Sequence, residues 1–223
     1  MSQDQFCVAL THSIDQLVMQ TYNLKTGDSV YGTTTILHST NPISLAYGPM
    51  DIVALSDRTI LYVVACSDED SLDEARYGLV QLSADNTLID IDYGTFSSQY
   101  YEYLRLYKMA TNQVLMAYWL DGDLNLFHIN YNGSFNRTLL WDSSSNCENY
   151  LSIAAITPSS VVLFGGNYYN AEFINLVKGK NGWCETNTTG IFAKPSDGVS
   201  VNGIVVDSDG DSVYVNTPAI ACV

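Results

Sequence analysis

Four two-residue turn signals, Thr26-Gly27, Asp85-Asn86, Asn132-Gly133 and Asn181-Gly182, each stand between two runs of strand-forming residues, and the last three lie about 48 residues apart. Dipeptides of this kind close β-hairpins, because Asn, Asp and Gly tolerate the positive φ that a tight turn between twisted strands demands. Recurrence at a near-constant interval is the strongest constraint on the fold: a unit this short cannot bury its apolar faces alone and must stack on further copies. Around the turns, apolar residues come in short β-branched or aromatic bursts broken by Asn, Asp, Gly and Ser, and the i, i+3, i+4 spacing of a helix is nearly absent. An all-β chain is the expectation.

Aligned on the turns, residues 112–121 fall over 4–13 and residues 124–129 over 17–24, while 160–167 and 59–67 take the same register. Each full repeat then holds four strands. The first strands are 52–55, 104–109 and 153–156, and the second are 60–66, 114–119 and 161–164. The third are 78–82, 124–129 and 173–177, and the fourth are 88–93, 136–141 and 186–192. Three full repeats occupy 51–96, 103–142 and 151–193; the chain opens with the last three strands of a repeat (6–37) and finishes with the first two of another (200–223). Four short antiparallel strands per repeat resembles a β-propeller, whose blades stack around an axis. That resemblance implies one propeller domain over residues 1–223 with about four blades in this chain, closed on itself or part of a larger or shared propeller. Lys25-Thr26-Gly27 after Tyr22-Asn23-Leu24 is similar to the turn of quinoprotein-like blades, and Asp209-Gly210-Asp211-Ser212-Val213-Tyr214-Val215 to that of YVTN-type blades. Neither the Trp-Asp signature, the kelch glycine pattern nor the sialidase Asp-box occurs, so the resemblance is one of architecture. An unclosed blade would offer an edge of backbone donors and acceptors to a partner.

Composition narrows the partners. Hydrophobic residues make up 47% of the 223 and charged ones 15%, which is the balance of a packed globular chain rather than a disordered one. Folding at this size buries about 72% of the unfolded surface, so cross-links are optional. With 9 Lys and Arg against 24 Asp and Glu the formal charge is −15, which repels phosphate backbones and anionic lipid, and we expect no nucleic-acid partner. The longest apolar runs, 60–66 and 114–120, are far too short to cross a bilayer as helices, so no membrane insertion is expected.

Propeller connections sort by face. Second-to-third and fourth-to-first connections share one face, which here collects 11–16, 38–48, 67–76, 94–102, 120–123, 142–150 and 166–171. That face is acidic and rich in tyrosine. Tyr100, Tyr101, Tyr150, Tyr168 and Tyr169, with Trp119 at a strand end and Asp121 beside it, are the candidate ligand-binding residues, together with Tyr47. Aromatic faces next to carboxylate acceptors are the chemistry of glycan or peptide recognition; packing within strands is the competing reading. Asp68, Glu69, Asp70, Asp73 and Glu74 crowd the longest loop, enough oxygens for calcium or a basic partner, and equally a solvated acidic loop. Asp207, Asp209 and Asp211 alternate around Gly210, which reads as a hairpin turn rather than a calcium loop.

Three histidines give general acid-base or zinc chemistry few candidates: His12 and His38 fall on the loop rim of the first blade and His128 falls mid-strand, as a hydrogen-bonded core histidine. No catalytic or nucleotide-binding motif is present, and no catalytic residue, metal site or cofactor is assigned. Cys7, Cys66, Cys147, Cys184 and Cys222 form no Cys-x-x-Cys pair; a Cys7–Cys222 link between the chain ends stays open. Asn132, Asn136 and Asn187 head glycosylation sequons at about the number chance provides. Residues 1–10 lack the basic start and apolar stretch of a secretory leader, whereas scarce lysine with abundant Asn, Ser, Thr and Tyr leads us to expect an extracellular or surface protein with a longer precursor, cytoplasm being the alternative. Two functions follow: a non-enzymatic module binding protein or glycan through the acidic, tyrosine-rich face or an open blade edge, or a metal-dependent hydrolase or lactonase acting on a small ligand near the channel.

Overall fold

A computed structural model describes residues 6–13, 16–23, 29–35, 50–66, 74–83, 88–97, 103–120, 122–144, 150–166, 171–186, 203–206 and 213–216, with side chains at 19 and within 50–65, 74–83, 88–97, 103–120, 122–142, 151–164 and 174–186. Among them every regular element is a strand. β1 (Phe6–Ser13), β2 (Gln16–Asn23) and β3 (Ser29–Thr35) form a three-stranded sheet in chain order. β4 (Met50–Ala54), β5 (Thr59–Cys66), β6 (Glu74–Leu82) and β7 (Leu88–Ser97) form a four-stranded one. The third sheet is β8 (Tyr103–Ala110), β9 (Gln113–Leu120), β10 (Asp123–Tyr131) and β11 (Phe135–Ser144). The fourth is β12 (Tyr150–Thr157), β13 (Ser160–Gly166), β14 (Ala171–Gly179) and β15 (Gly182–Glu185), and β16 (Gly203–Val206) pairs with β17 (Val213–Asn216). Every pairing is antiparallel and every sheet is a simple meander. The fold class is the expected one: all-β, built of four-stranded antiparallel blades of the propeller kind.

Two compact units divide the chain, Met1–Tyr101 and Glu102–Val223. In the second unit, Val114 to Trp119 of β9 are all buried, which explains why this strand reads as an unbroken apolar run rather than an alternating one. Leu115, Ala117 and Trp119 on one face join Leu124 and Leu126 of β10 in a core with Leu151, Ile153, Val161, Leu163, Ile174 and Leu176 of the fourth sheet. Val114, Met116 and Tyr118 on the opposite face are buried too, with Leu104 and Ile129. β12 lies against β8, where the Tyr107 hydroxyl donates to the Ala155 carbonyl at 3.4 Å, and β16 also lies against β12. Burial of an aliphatic side chain contributes about 1.5–3 kcal/mol, so two-sided burial of the middle strands is the main force holding the sheets together.

The first unit repeats the pattern. Ile60, Tyr62 and Val64 of β5 pack with Val80 of β6 and Met19 of β2, while Leu61, Val63 and Leu79 are buried on the other face. Tyr62 lies over its cross-strand partner Gly78, where a β-carbon would overlap the phenol ring. Arg58 ties the β4–β5 turn to the end of β6, its Nε donating to the Leu82 carbonyl at 2.7 Å and its Nη2 to the Ser83 carbonyl.

Several strand limits differ from expectation: β6 begins at Glu74 rather than 78, so residues 74–76, expected in the long acidic loop, belong to the strand, and β4, β10, β11, β12 and β14 also run beyond their expected starts or ends. The fourth strand of the second sheet, expected at 88–93, continues through Gly94 to Ser97; a β-carbon at Gly94 would stand 3.1 Å from the Tyr77 ring, so the glycine serves packing rather than termination. In the fourth sheet, the outer strand expected at 186–192 is instead Gly182–Glu185, because Gly179 pairs with Gly182 and the chain turns at Lys180-Asn181. Thr186 follows it, its backbone N–H and hydroxyl both donating to the Asn175 carbonyl at 2.9 and 3.3 Å. Residues 187–192 lie outside the described residues, as do the Thr26-Gly27 and Asp85-Asn86 turns.

Candidate functional site

Register places the sheet-to-sheet connections 36–49, 98–102 and 145–149 at one end of each sheet. In the second, third and fourth sheets Cys66 pairs with Glu74, Leu120 with Asp123 and Gly166 with Ala171, so the second-to-third-strand connection leaves from the end at which the first strand enters; in the three-stranded sheet the Ser13–Gln16 connection lies at the end from which Thr35 leads into 36–49. Tyr103 opposite Trp119 and Tyr150 opposite Gly166 mark that entry in the third and fourth sheets. The opposite end carries the first-to-second and third-to-fourth connections of the four-stranded sheets, two residues long where Ala110 pairs with Gln113, Thr157 with Ser160 and Gly179 with Gly182, three between Tyr131 and Phe135, and five between Leu82 and Leu88. Positive φ at Asn112 (60°), Gly133 (95°) and Gly182 (125°) belongs to those turns, as their Asn and Gly identities anticipate.

Basic residues sort along the strands more clearly than carboxylates, since Asp57 and Asp90 stand toward the turn ends of the second sheet. Among described residues, Asp51, Glu74, Asp123 and Asp142 stand near the loop ends of their sheets, with Arg76 and Arg105 the basic residues there. Arg58, Lys108, Arg137, Lys178 and Lys180 stand toward the turn ends. Glu74 is the first residue of β6 and its carboxylate is held on two sides: Arg76 donates to Oε1 and pairs with it, and the Thr95 hydroxyl donates to Oε2 at 3.2 Å. Residues i and i+2 share a strand face, which is why Glu74 meets Arg76. One carboxylate of the acidic loop is thus anchored to the sheet; residues 67–73, with Asp68, Glu69, Asp70 and Asp73, lie outside the described residues. Among the described residues, no three His, Cys, Asp or Glu side chains converge as a metal cluster.

Of the candidate ligand-binding residues, Trp119 is described: it is 7% exposed and packs into the core shared by the third and fourth sheets, between its cross-strand neighbours Tyr103 and Leu124. Tyr103, missed by sequence reading, lies partly buried against the same core and flanks Trp119 at the loop end. Tyr150 opens β12, its side chain outside the described set, and Tyr47, Tyr100, Tyr101, Asp121, Tyr168 and Tyr169 lie outside the described residues. His38, the side chains of His12, Cys7 and Cys66, Cys147, Cys222, Asn187 and residues 207–211 are likewise outside. His128 faces the fourth sheet from the middle of β10, opposite Leu115, and is half-buried rather than part of the sealed core. Burial, and then the Lys178 ammonium, push its imidazole below the ordinary value. Cys184 is a free, exposed thiol on β15. A further aromatic group sits on the other face of the third sheet, where Tyr118 and Phe127 stack at 5.5 Å and the Arg137 guanidinium lies 5.7 Å from the Phe127 ring centre.

No protein-family model matches the chain, and no curated protein matches it. Among solved structures, a 6-phosphogluconolactonase-like protein from Bacteroides uniformis aligns over 96% of this chain and 61% of its own, at 11% identity and a TM-score of 0.59. A second, from Bacteroides fragilis, aligns over 96% of this chain and 62% of its own, at 13% identity and a TM-score of 0.51. A soluble aldose sugar dehydrogenase from Escherichia coli aligns over 96% of this chain and 93% of its own at 10% identity, with a TM-score of 0.41 too low to argue from. At such identities the likeness is one of fold. The chain spans about three-fifths of the length of the two lactonase-like proteins.

Proposed function

We propose that the chain is a non-enzymatic recognition module that binds a glycan or a protein segment at the loop ends of its sheets. The observation that carries this reading is the division of labour along the strands: the middles are spent on sheet-to-sheet packing, while the longest connections, 67–73 and the sheet-to-sheet segments 36–49, 98–102 and 145–149, leave from the ends away from Lys108, Lys178 and Lys180. Tyr100, Tyr101, Tyr150, Tyr168, Tyr169 and Asp121 supply ring faces and acceptors for hydroxyl-rich or cationic ligands. Trp119, 7% exposed, contributes to the core rather than a ring face for the ligand. A net charge of −15 favours neutral or cationic ligands over phosphorylated ones.

The fold shared with the lactonase-like proteins favours a second reading, hydrolysis of a small sugar lactone at the same loop ends. One pair of assays separates them. Binding on a glycan array or to cationic peptides that is lost in Tyr168→Ala/Tyr169→Ala, with no lactone hydrolysis above the uncatalysed rate with or without divalent cations, supports recognition. Catalysed lactone hydrolysis overturns it in favour of the second reading. A blank array and no peptide binding overturn the recognition reading itself.

A further inference from the structure

Carboxylates are missing from the turn ends of the third and fourth sheets. Residues 103–120, 124–141, 149–171 and 173–184, which hold every turn-end connection of those two sheets, contain no Asp or Glu. Toward the same ends stand Lys108, Arg137, Lys178 and Lys180, all exposed, which are four of the chain's nine Lys and Arg. His128 joins them: it pairs with Thr138, the neighbour of Arg137, and burial and then the Lys178 ammonium lower its imidazole pKa. The two groups therefore meet where the third sheet faces the fourth. β11 touches β15, so the outer strands of the two sheets carry these charges side by side. Leu139 and Val177, both exposed and apolar, stand within two residues of Arg137 and Lys178.

We infer that this corner of the second unit docks an acidic segment of a partner protein, one in which Asp and Glu are interspersed with aliphatic residues. The net charge of −15 does not forbid it, because charges farther apart than about 8 Å are largely screened at physiological salt and a partner here feels the local cations. The mixed surface selects the class. Carboxylates answer the ammonium and guanidinium groups, aliphatic side chains cover Leu139 and Val177, and a phosphate backbone has no use for the apolar half. A long polyanion would also run off the corner onto a chain whose remaining charge is strongly negative. Around His128 stand Leu115 and Thr138 of its own sheet and Lys178 of the fourth, while the Tyr107 hydroxyl is committed to the Ala155 carbonyl. A carboxylate arriving there offsets the repulsion between imidazolium and ammonium. This surface lies at the opposite end of the sheets from the loops and does not depend on what the loops bind.

The test uses the full chain and a fluorescein-labelled peptide alternating Asp and Leu, with an Asp/Ser peptide and a single-stranded oligonucleotide of equal charge as counterparts. Anisotropy is expected to show binding of the Asp/Leu peptide that weakens with salt and exceeds that of both counterparts. The His128 imidazole pKa, read by NMR, should rise in the complex, because a carboxylate then opposes the Lys178 ammonium. Lys178→Gln/Lys180→Gln is expected to weaken binding about fivefold or more, two ionic contacts being removed. Leu139→Ala should weaken it by a smaller factor. Gln81→Glu/Ile91→Glu, which lowers the net charge by the same amount at exposed positions of the other unit, should bind as the parent does. Circular dichroism of each variant checks that it folds. Equal binding by the parent and Lys178→Gln/Lys180→Gln, preference for the oligonucleotide, an unmoved His128 pKa in the complex, or no binding at all would each overturn the assignment.

Discussion

Gly78 carries no β-carbon, and the Tyr62 ring occupies the space one would fill. The pair is central to the second sheet, because Tyr62 is also part of the core formed with Met19, Ile60, Val64 and Val80. Gly78→Ala therefore forces the ring out of place and is expected to cost about 1–3 kcal/mol, read from urea denaturation. The same change made in a Tyr62→Ala background should cost clearly less, since the two residues are in contact and their effects do not add. Equal costs in both backgrounds would show that the overlap is relieved elsewhere. His128 gives the second test at this scale. Its folded-state pKa lies below the ordinary value of 6.5, from burial first and Lys178 second, so between the two values the unfolded chain binds more protons. Stability from this group is full above the unfolded value and is lost as pH falls through the folded one. The urea midpoint should therefore fall from about pH 7.5 to about pH 5 more steeply in the parent than in His128→Gln, and Lys178→Gln should raise the imidazole pKa seen by NMR. That His128 points between sheets was legible from its mid-strand position. Its neighbour Lys178 was not, because the two meet only when the third and fourth sheets stack.

Strand middles were readable and strand ends were not, and the difference is physical. A strand buried on both faces needs apolar residues at every position, so β5 and β9 announce themselves as unbroken runs. Outer strands such as β7 have one wet side and tolerate Asp, Gly and Thr, which read equally well as loop. The start of β15 at Gly182 rather than 186 is set by register: Gly179 pairs with Gly182 across the Lys180-Asn181 turn, a pairing that the residue pattern does not carry. A strand-end position makes Trp119 a candidate for a ligand surface; its burial follows from the parity of β9, which puts it on the face shared with Leu115 and Ala117. Element position also ranks substitutions. Leu163→Ala, in a fully buried site of β13, is expected to cost about 2–5 kcal/mol, whereas Leu139→Ala on the outer strand β11, 46% exposed, should stay within about 0.5 kcal/mol. Similar costs at both positions, measured by denaturant unfolding, would contradict the burial pattern.

At the scale of the molecule, the repeat interval sufficed to establish the class of fold, because every copy faces the same problem of two apolar faces and solves it in the same way. The loop residues that distinguish one copy from the next carry no such repetition, so pattern could nominate Tyr100, Tyr101, Tyr168 and Tyr169 without saying what they touch. One physical arrangement holds the third and fourth sheets together: the β9 face carrying Leu115 and Ala117 shares a core with the fourth sheet, Val161 and Leu163 of β13 included. Methyl-selective NMR tests it most directly. Labelled Leu, Val and Ala should give nuclear Overhauser contacts from Leu115 and Ala117 of β9 to Val161 and Leu163 of β13. Contacts confined within each sheet, with none between those two faces, would contradict the stacked arrangement and the loop geography derived from it.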